Sequence, residues 1–196
     1  VHHCGFHARS RYGAASWFVR RPEGNVLVDS PRFAGPLVRS LEALGGVRWM
    51  FLTHRDDVAD HARFAEHFGC ERVLHRGDLA AATRGVERVV DGTGPVPLAD
   101  DLLVIPTPGH TRGSACLLYR DRFLFTGDTL AWHPRREHLY AFRYQCWYDW
   151  DVLRASIERL REYRFTWVLP GHGHPTRLEG DPRAAIDTCV AWMAAR

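Results

Sequence analysis

Along the chain, short apolar runs of β type alternate with apolar residues at helical spacing, and Gly, Pro and Asp mark the joints between them. Trp17 to Val19 and Val26 to Val28 flank a polar turn and predict a hairpin. Pro36 to Leu44 reads as a helix stopped by Gly45 and Gly46, Trp49 to Leu52 as a strand, and Val58 to Phe68 as a helix ended by Gly69. Val73-Leu74 is a further strand, and from Ala80 to Asp101 Gly and Pro break the pattern into turns and short strands. Leu102 to Ile105, Ala115 to Tyr119 and Phe123 to Phe125 predict three strands in close succession. Trp167 to Leu169 predicts a last strand, between helices at Asp151 to Tyr163 and at Pro182 to Met193, the second with Asp181 as its N-cap. No repeat or linker interrupts this order, so the pattern predicts an α/β layered fold with residues 1–196 as one domain.

Composition narrows the classes. With 45% hydrophobic and 25% charged residues over 196 positions, the chain is globular and neither disordered nor fibrous. No apolar run approaches the roughly 20 residues of a membrane-spanning helix, and the stretch after Val1 lacks the apolar segment of a secretory signal. All 26 basic residues are Arg, set against 23 acidic ones and scattered along the chain, so neither a nucleic acid nor a membrane is an expected partner. Five Cys without a CxxC pair argue against a disulfide framework and for a reducing compartment, with the cytoplasm as the expected location.

The 12 His are more informative than the charge. Four predicted strands end directly in residues able to bind metals: Thr53-His54-Arg55-Asp56-Asp57-Val58-Ala59-Asp60-His61, Thr107-Pro108-Gly109-His110-Thr111, Thr126-Gly127-Asp128, and Pro170-Gly171-His172-Gly173-His174. Layered α/β proteins build ligand sites where such loops converge at strand ends. Imidazole nitrogen and carboxylate oxygen are ligands of both zinc and non-haem iron. Any one of these His alone reads better as a hydrogen-bonded imidazole; together they point to one metal site.

The order of these motifs, a THxHxDH-like stretch, then GHT with a following Gly-Ser, then GD, then GH after the last strand, resembles the metallo-β-lactamase fold superfamily. Its members include glyoxalase II-like thioesterases, lactonases, nucleases and iron-containing oxidoreductases. The resemblance runs from about Ala14 to His172 and implies a four-layer αββα sandwich. It also implies that Asp29, ending the apolar run Val26-Leu27-Val28, steadies a metal ligand.

The first motif departs from that pattern, because two extra residues separate His54 from Asp60-His61 and the second His is missing. Counted forward its place falls to Asp56, counted back to Val58, and Asp57 is a third candidate. Carried over residue by residue, the resemblance implies a first metal position at His54 and His110, with Asp56 as an extra ligand. A second would use Asp60, His61 and His172, with Asp128 bridging. Two zinc ions would then generate a hydroxide that attacks an ester or thioester, and Asp60 would protonate the product. Reduced to His54, His110 and Asp128, the first position instead becomes the two-His-one-carboxylate set of iron oxygenases, which opens an alternative oxidoreductase reading.

The segment His133 to Trp150 follows the Asp128 strand, where this superfamily places substrate loops, and it is dense in Arg and aromatic residues. Arg143, Tyr144 and Trp147 are the candidates to hold a small anionic substrate, by paired hydrogen bonds and an aromatic wall. The competing reading is that the aromatic residues pack the next helix and the Arg residues are solvated.

Overall fold

A computed structural model describes residues 1–6 and 13–196. Among the described residues fourteen strands form two six-stranded sheets and one hairpin. The first sheet runs in the order β1 (His2–Phe6), β2 (Ala15–Val19), β3 (Val26–Val28), β4 (Trp49–Phe51), β5 (Glu71–His75) and β6 (Arg88–Val90). Strands β2 and β3 pair antiparallel as the predicted hairpin, and β3 through β6 are parallel. The second sheet contains β7 (Val96–Ala99), β8 (Leu102–Pro106), β9 (Ala115–Tyr119), β10 (Phe123–Gly127), β13 (Trp167–Pro170) and β14 (Thr176–Arg177), in the order β14-β13-β10-β9-β8-β7. Between β10 and β13 the chain forms the hairpin β11 (Ala131–His133) and β12 (His138–Tyr140).

The strands read as nearly unbroken apolar runs because both of their faces are buried. One face of the first sheet, with Trp17, Val28 and Phe51, packs against Val104, Leu117 and Phe125 of the second. The alternate residues Phe18, Leu27 and Met50 point away and are covered by Val38 and Leu41 of α1 (Gly35–Ala43) and Phe64 of α2 (His61–Phe68). On the second sheet, Leu118, Leu124 and Val168 meet Leu153 and Ile157 of α3 (Trp150–Arg159) and Ile186 and Met193 of α4 (Pro182–Ala194). The period of two thus distributes each strand between the central layer and a helical layer, giving the αββα sandwich.

Helix α2 starts at His61 and not at Val58, so residues 53–60 form an irregular connection out of β4. Gly127, at φ +49, lets the ends of the two sheets meet: a Cβ there would lie 2.2 Å from the Thr53 hydroxyl. Among the described residues no helix is long and apolar enough to cross a membrane.

Candidate metal centre

The four loops named by the sequence converge at that meeting edge. His54 and His110 are almost fully buried, their rings 4.7 Å apart and nearly perpendicular. His54 Nε2 lies 3.6 Å from Asp57 Oδ2 and 3.7 Å from Asp128 Oδ2. His110 Nε2 lies 3.5 Å from Asp56 Oδ2 and 3.8 Å from Asp128 Oδ2. His172 Nδ1 is 2.8 Å from Asp128 Oδ1 and 3.7 Å from Asp57 Oδ2. The donors fall into two overlapping groups, His54 with Asp56 and His110, and His54 with Asp57 and Asp128, each spanning no more than 4.8 Å.

Hydrogen bonds beneath the cluster set the orientation of His54. Asp29, in the left-handed region at φ 56, accepts from the Thr53 backbone N–H at 2.8 Å and from the Thr53 hydroxyl at 2.9 Å. The same hydroxyl oxygen is 3.0 Å from His54 Nδ1. A hydroxyl has one proton, and donating it to Asp29 leaves the oxygen to accept Nδ1–H, so the lone pair of His54 is on Nε2, facing the carboxylates. Burial pushes the Asp29 carboxyl up to about 7, against the pull of His54 and of the Thr53 bonds.

The electrostatics ask for a cation. Burial disfavours the charged form of His54, yet the facing charges of Asp128 and Asp57 outweigh it and raise its pKa. Burial also raises Asp57. Asp128 stays low despite its burial, because His172 donates to it and His54 and His110 face it. His54 Nε2 and Asp57 Oδ2 are fully buried with no hydrogen-bond partner among the described residues. Buried polar atoms are seldom left so, and two carboxylates are costly to bury without compensating charge. Separations of 3.5–3.8 Å are too long for hydrogen bonds and suit two donors each about 2.1 Å from one shared ion. The residues therefore fit a divalent metal.

No family model matches the chain. Hydroxyacylglutathione hydrolase of Citrobacter koseri is 33% identical over 121 residues, which cover 58% of this chain and 46% of that protein. The chain spans about half the length of the curated relatives it matches. TTHA1623, solved in a di-iron-bound form, superposes with a TM-score of 0.66 at 25% identity, over 84% of this chain and 90% of that one. The metallo-β-lactamase FIM-1 of Pseudomonas aeruginosa, in its mono-zinc form, superposes with a TM-score of 0.68 at 16% identity, over 93% of this chain and 84% of its own.

The chain has the fold of the metallo-β-lactamases. The structure brings His54, Asp56, His110, Asp128 and His172 together at one edge, while Asp60 and His61 make other contacts. His61 is the first residue of α2, and both of its ring nitrogens are engaged: Nε2 donates to the Ala82 carbonyl at 3.1 Å and Nδ1 accepts from Arg72 at 3.2 Å. Burial and the Arg72 charge lower its pKa, so it sits there as a neutral imidazole. Asp60 Oδ2 accepts from the Phe33 backbone N–H at 2.8 Å and ties the loop after β3 to the start of α2. Asp57 instead faces His54 and His172.

Two residues that the site reading passed over become visible here. Asp57 was only one of three alternatives for the missing ligand. Asp78, just after β5, is wholly buried beneath both His-bearing loops. Its signal is a Gly-Asp pair close after a strand, Gly77-Asp78 two residues past the end of β5.

The segment after β12 reaches the centre through its backbone. Trp147 and Tyr148 donate backbone N–H groups to the His110 carbonyl at 2.9 and 3.1 Å, and Asp149 donates to the Gly109 carbonyl at 3.0 Å. Tyr144 and Trp147 are exposed, at 90% and 63%, while Trp150 packs in the helical layer. Arg143 places its guanidinium 4.9 Å from the Trp150 ring centre.

Proposed function

We propose that the chain is a metal-dependent hydrolase acting on small anionic thioesters or esters, with two zinc ions as its cofactor. The overlap of the two donor groups on one buried edge carries this reading. His54, Asp56 and His110 would hold the first ion, Asp57 and His172 the second, with Asp128 between them. Ions so held supply an acidified water and polarise the substrate carbonyl.

The remaining steps belong to the chain itself. Asp29 and Thr53 keep the His54 lone pair on Nε2 and aimed at the centre. Arg143, Tyr144 and Trp147, beside the His110 loop, would bind and orient the anionic part of the substrate, and the Gly109–Thr111 turn braces that segment. With its Oδ2 accepting from the Phe33 backbone N–H, the Asp60 carboxylate before α2 would not be the group that protonates a leaving group. A thiolate, whose conjugate acid has a pKa of about 8.5, departs without that help far more readily than an alkoxide does. This favours thioesters over esters, in keeping with the hydroxyacylglutathione hydrolase relatives.

One observation favours a second reading. Asp56 and Asp57 put carboxylates where the superfamily motif has an imidazole, and harder oxygen donors suit iron, the metal held by the neighbour TTHA1623. Elemental analysis of protein purified without added metal, run beside thiol release from an acyl-glutathione thioester, separates the two. We expect about two zinc ions per chain, and in His54→Ala loss of metal with thiol release down at least ~1000-fold. Iron with oxygen uptake on thiol or persulfide substrates and no thiol release would replace hydrolysis by oxidoreduction.

A further inference from the structure

We propose that Asp78 is the positioning residue of the first metal position, holding in register the two loops that carry His54, Asp56 and His110. The inference rests on the metal-centre reading above and adds to it a residue outside the donor set.

Three bonds carry it. One oxygen, Asp78 Oδ2, accepts from the Arg55 backbone N–H at 3.0 Å and from the Thr111 hydroxyl at 2.6 Å. The other, Oδ1, accepts from the Gly113 backbone N–H at 2.9 Å. Arg55 lies between His54 and Asp56, and Thr111 follows His110 directly. One carboxylate from the turn after β5 therefore holds the Arg55 backbone between His54 and Asp56 and the Thr111 hydroxyl next to His110. The grip continues past Thr111, since the Ser114 hydroxyl is 2.7 Å from the Thr111 hydroxyl and accepts from the Thr111 backbone N–H at 2.9 Å.

Packing around these bonds leaves little slack. A Cβ on Gly113 would lie 2.5 Å from the Asp78 backbone nitrogen, and one on Gly77 would lie 2.9 Å from the Arg112 carbonyl. The 76–78 turn and the 111–114 loop are in backbone contact that only glycine permits. Asp78 itself is inaccessible to solvent, so its acceptor capacity is spent on these loops.

The second position is anchored differently. Asp128 and His172 leave the ends of β10 and β13, which pair in parallel, and Gly171 donates to the Gly127 carbonyl at 2.8 Å. The Asp57 carbonyl faces the Ser30 backbone N–H of the loop after β3 at 3.4 Å. None of these contacts runs through Asp78. Loss of Asp78 should accordingly loosen one position and spare the other, a difference that a general loss of stability would not produce.

Cobalt(II) titration of the metal-free full chain, followed by visible absorption, tests this. Asp56→Ala and Asp57→Ala identify which binding step belongs to which position. In Asp78→Asn the first-position step should weaken tenfold or more and change its spectrum, while the second-position step stays within about threefold of the parent. Thr111→Val, which removes one of the three bonds, should show the same selective weakening at smaller size and decides the matter if Asp78→Asn does not fold. Equal affinities in parent and variants, or equal weakening of both steps, would overturn the role of Asp78 and leave the metal centre standing. A parent that binds no cobalt would overturn the centre and this inference together.

Discussion

The two sheets deliver their donors to the same edge by different means. In the second sheet, His110, Asp128 and His172 lie within a few residues of β8, β10 and β13, and strand register sets where they point. In the first sheet, the donors leave β4 on an irregular stretch that continues to the start of α2 at His61. A strand end tolerates no slip, since one residue turns a side chain to the opposite face. The irregular stretch absorbs two extra residues and changes which carboxylate arrives. The donors of the second sheet thus follow strand register, while those leaving β4 are held by hydrogen bonds that Asp29 and Asp78 accept.

The sharpest way to break this comparison is to exchange the roles of the two aspartates that compete for the centre. Asp57→Ala should halve the zinc content and lower thioester turnover by roughly 100-fold, the scale of losing one preorganised electrostatic contact to the reacting group. Asp60→Ala should leave both within threefold and cost only about 1 kcal/mol of stability, from the lost Phe33 bond. Metal analysis with turnover measurement on the two variants checks this. The reverse outcome would restore the superfamily's Asp-His pair to the centre.

That same contrast shows what the sequence makes legible. Strand ends bearing Gly-His or Gly-Asp announce His110, Asp128 and His172, because short apolar runs fix where each strand stops. The αββα layering is equally readable, since double-sided burial writes Val26-Leu27-Val28 and Trp49-Met50-Phe51 as continuous apolar stretches. The choice of Asp57 over Asp60 is not readable in the same way. It depends on Ala82 and Arg72 lying where they engage both nitrogens of His61, and those contacts span 21 and 11 residues. Asp78 escapes for a similar reason: its partners lie 23 to 35 residues away, and only the folded sheet edge brings them together.

A smaller effect probes the segment after β12, which belongs to the second sheet's side of the comparison. On the proposed role of Arg143, Arg143→Ala should raise KM for an anionic thioester about tenfold with kcat little changed, as for a group that would bind substrate and transition state alike. Steady-state kinetics with an anionic and a neutral thioester checks this. An equal change on both substrates would assign Arg143 to packing on Trp150.

The smallest effect concerns what keeps His61 out of the centre. Arg72, which donates to His61 Nδ1, is held by Glu87 through its Nε at 3.0 Å and through a second nitrogen at 2.6 Å. The hydrogen bonds from Arg72 hold the Glu87 carboxyl down at about 2. A carboxyl depressed on folding contributes stability that is present above its unfolded value near 4.5 and lost as the pH falls through about 2. The Glu87 side chain is 41% exposed, so solvent screening keeps the contribution at or below ~1 kcal/mol. Thermal unfolding of the parent and of Glu87→Gln should therefore differ by this amount near neutral pH, and the gap should close as the pH falls from 4.5 towards 2. Zinc content at neutral pH should be the same in both proteins, because Arg72 and His61 stand outside the donor set. A gap independent of pH would place the stabilisation elsewhere, and a change in zinc content would show that the first half of the centre extends to His61 after all.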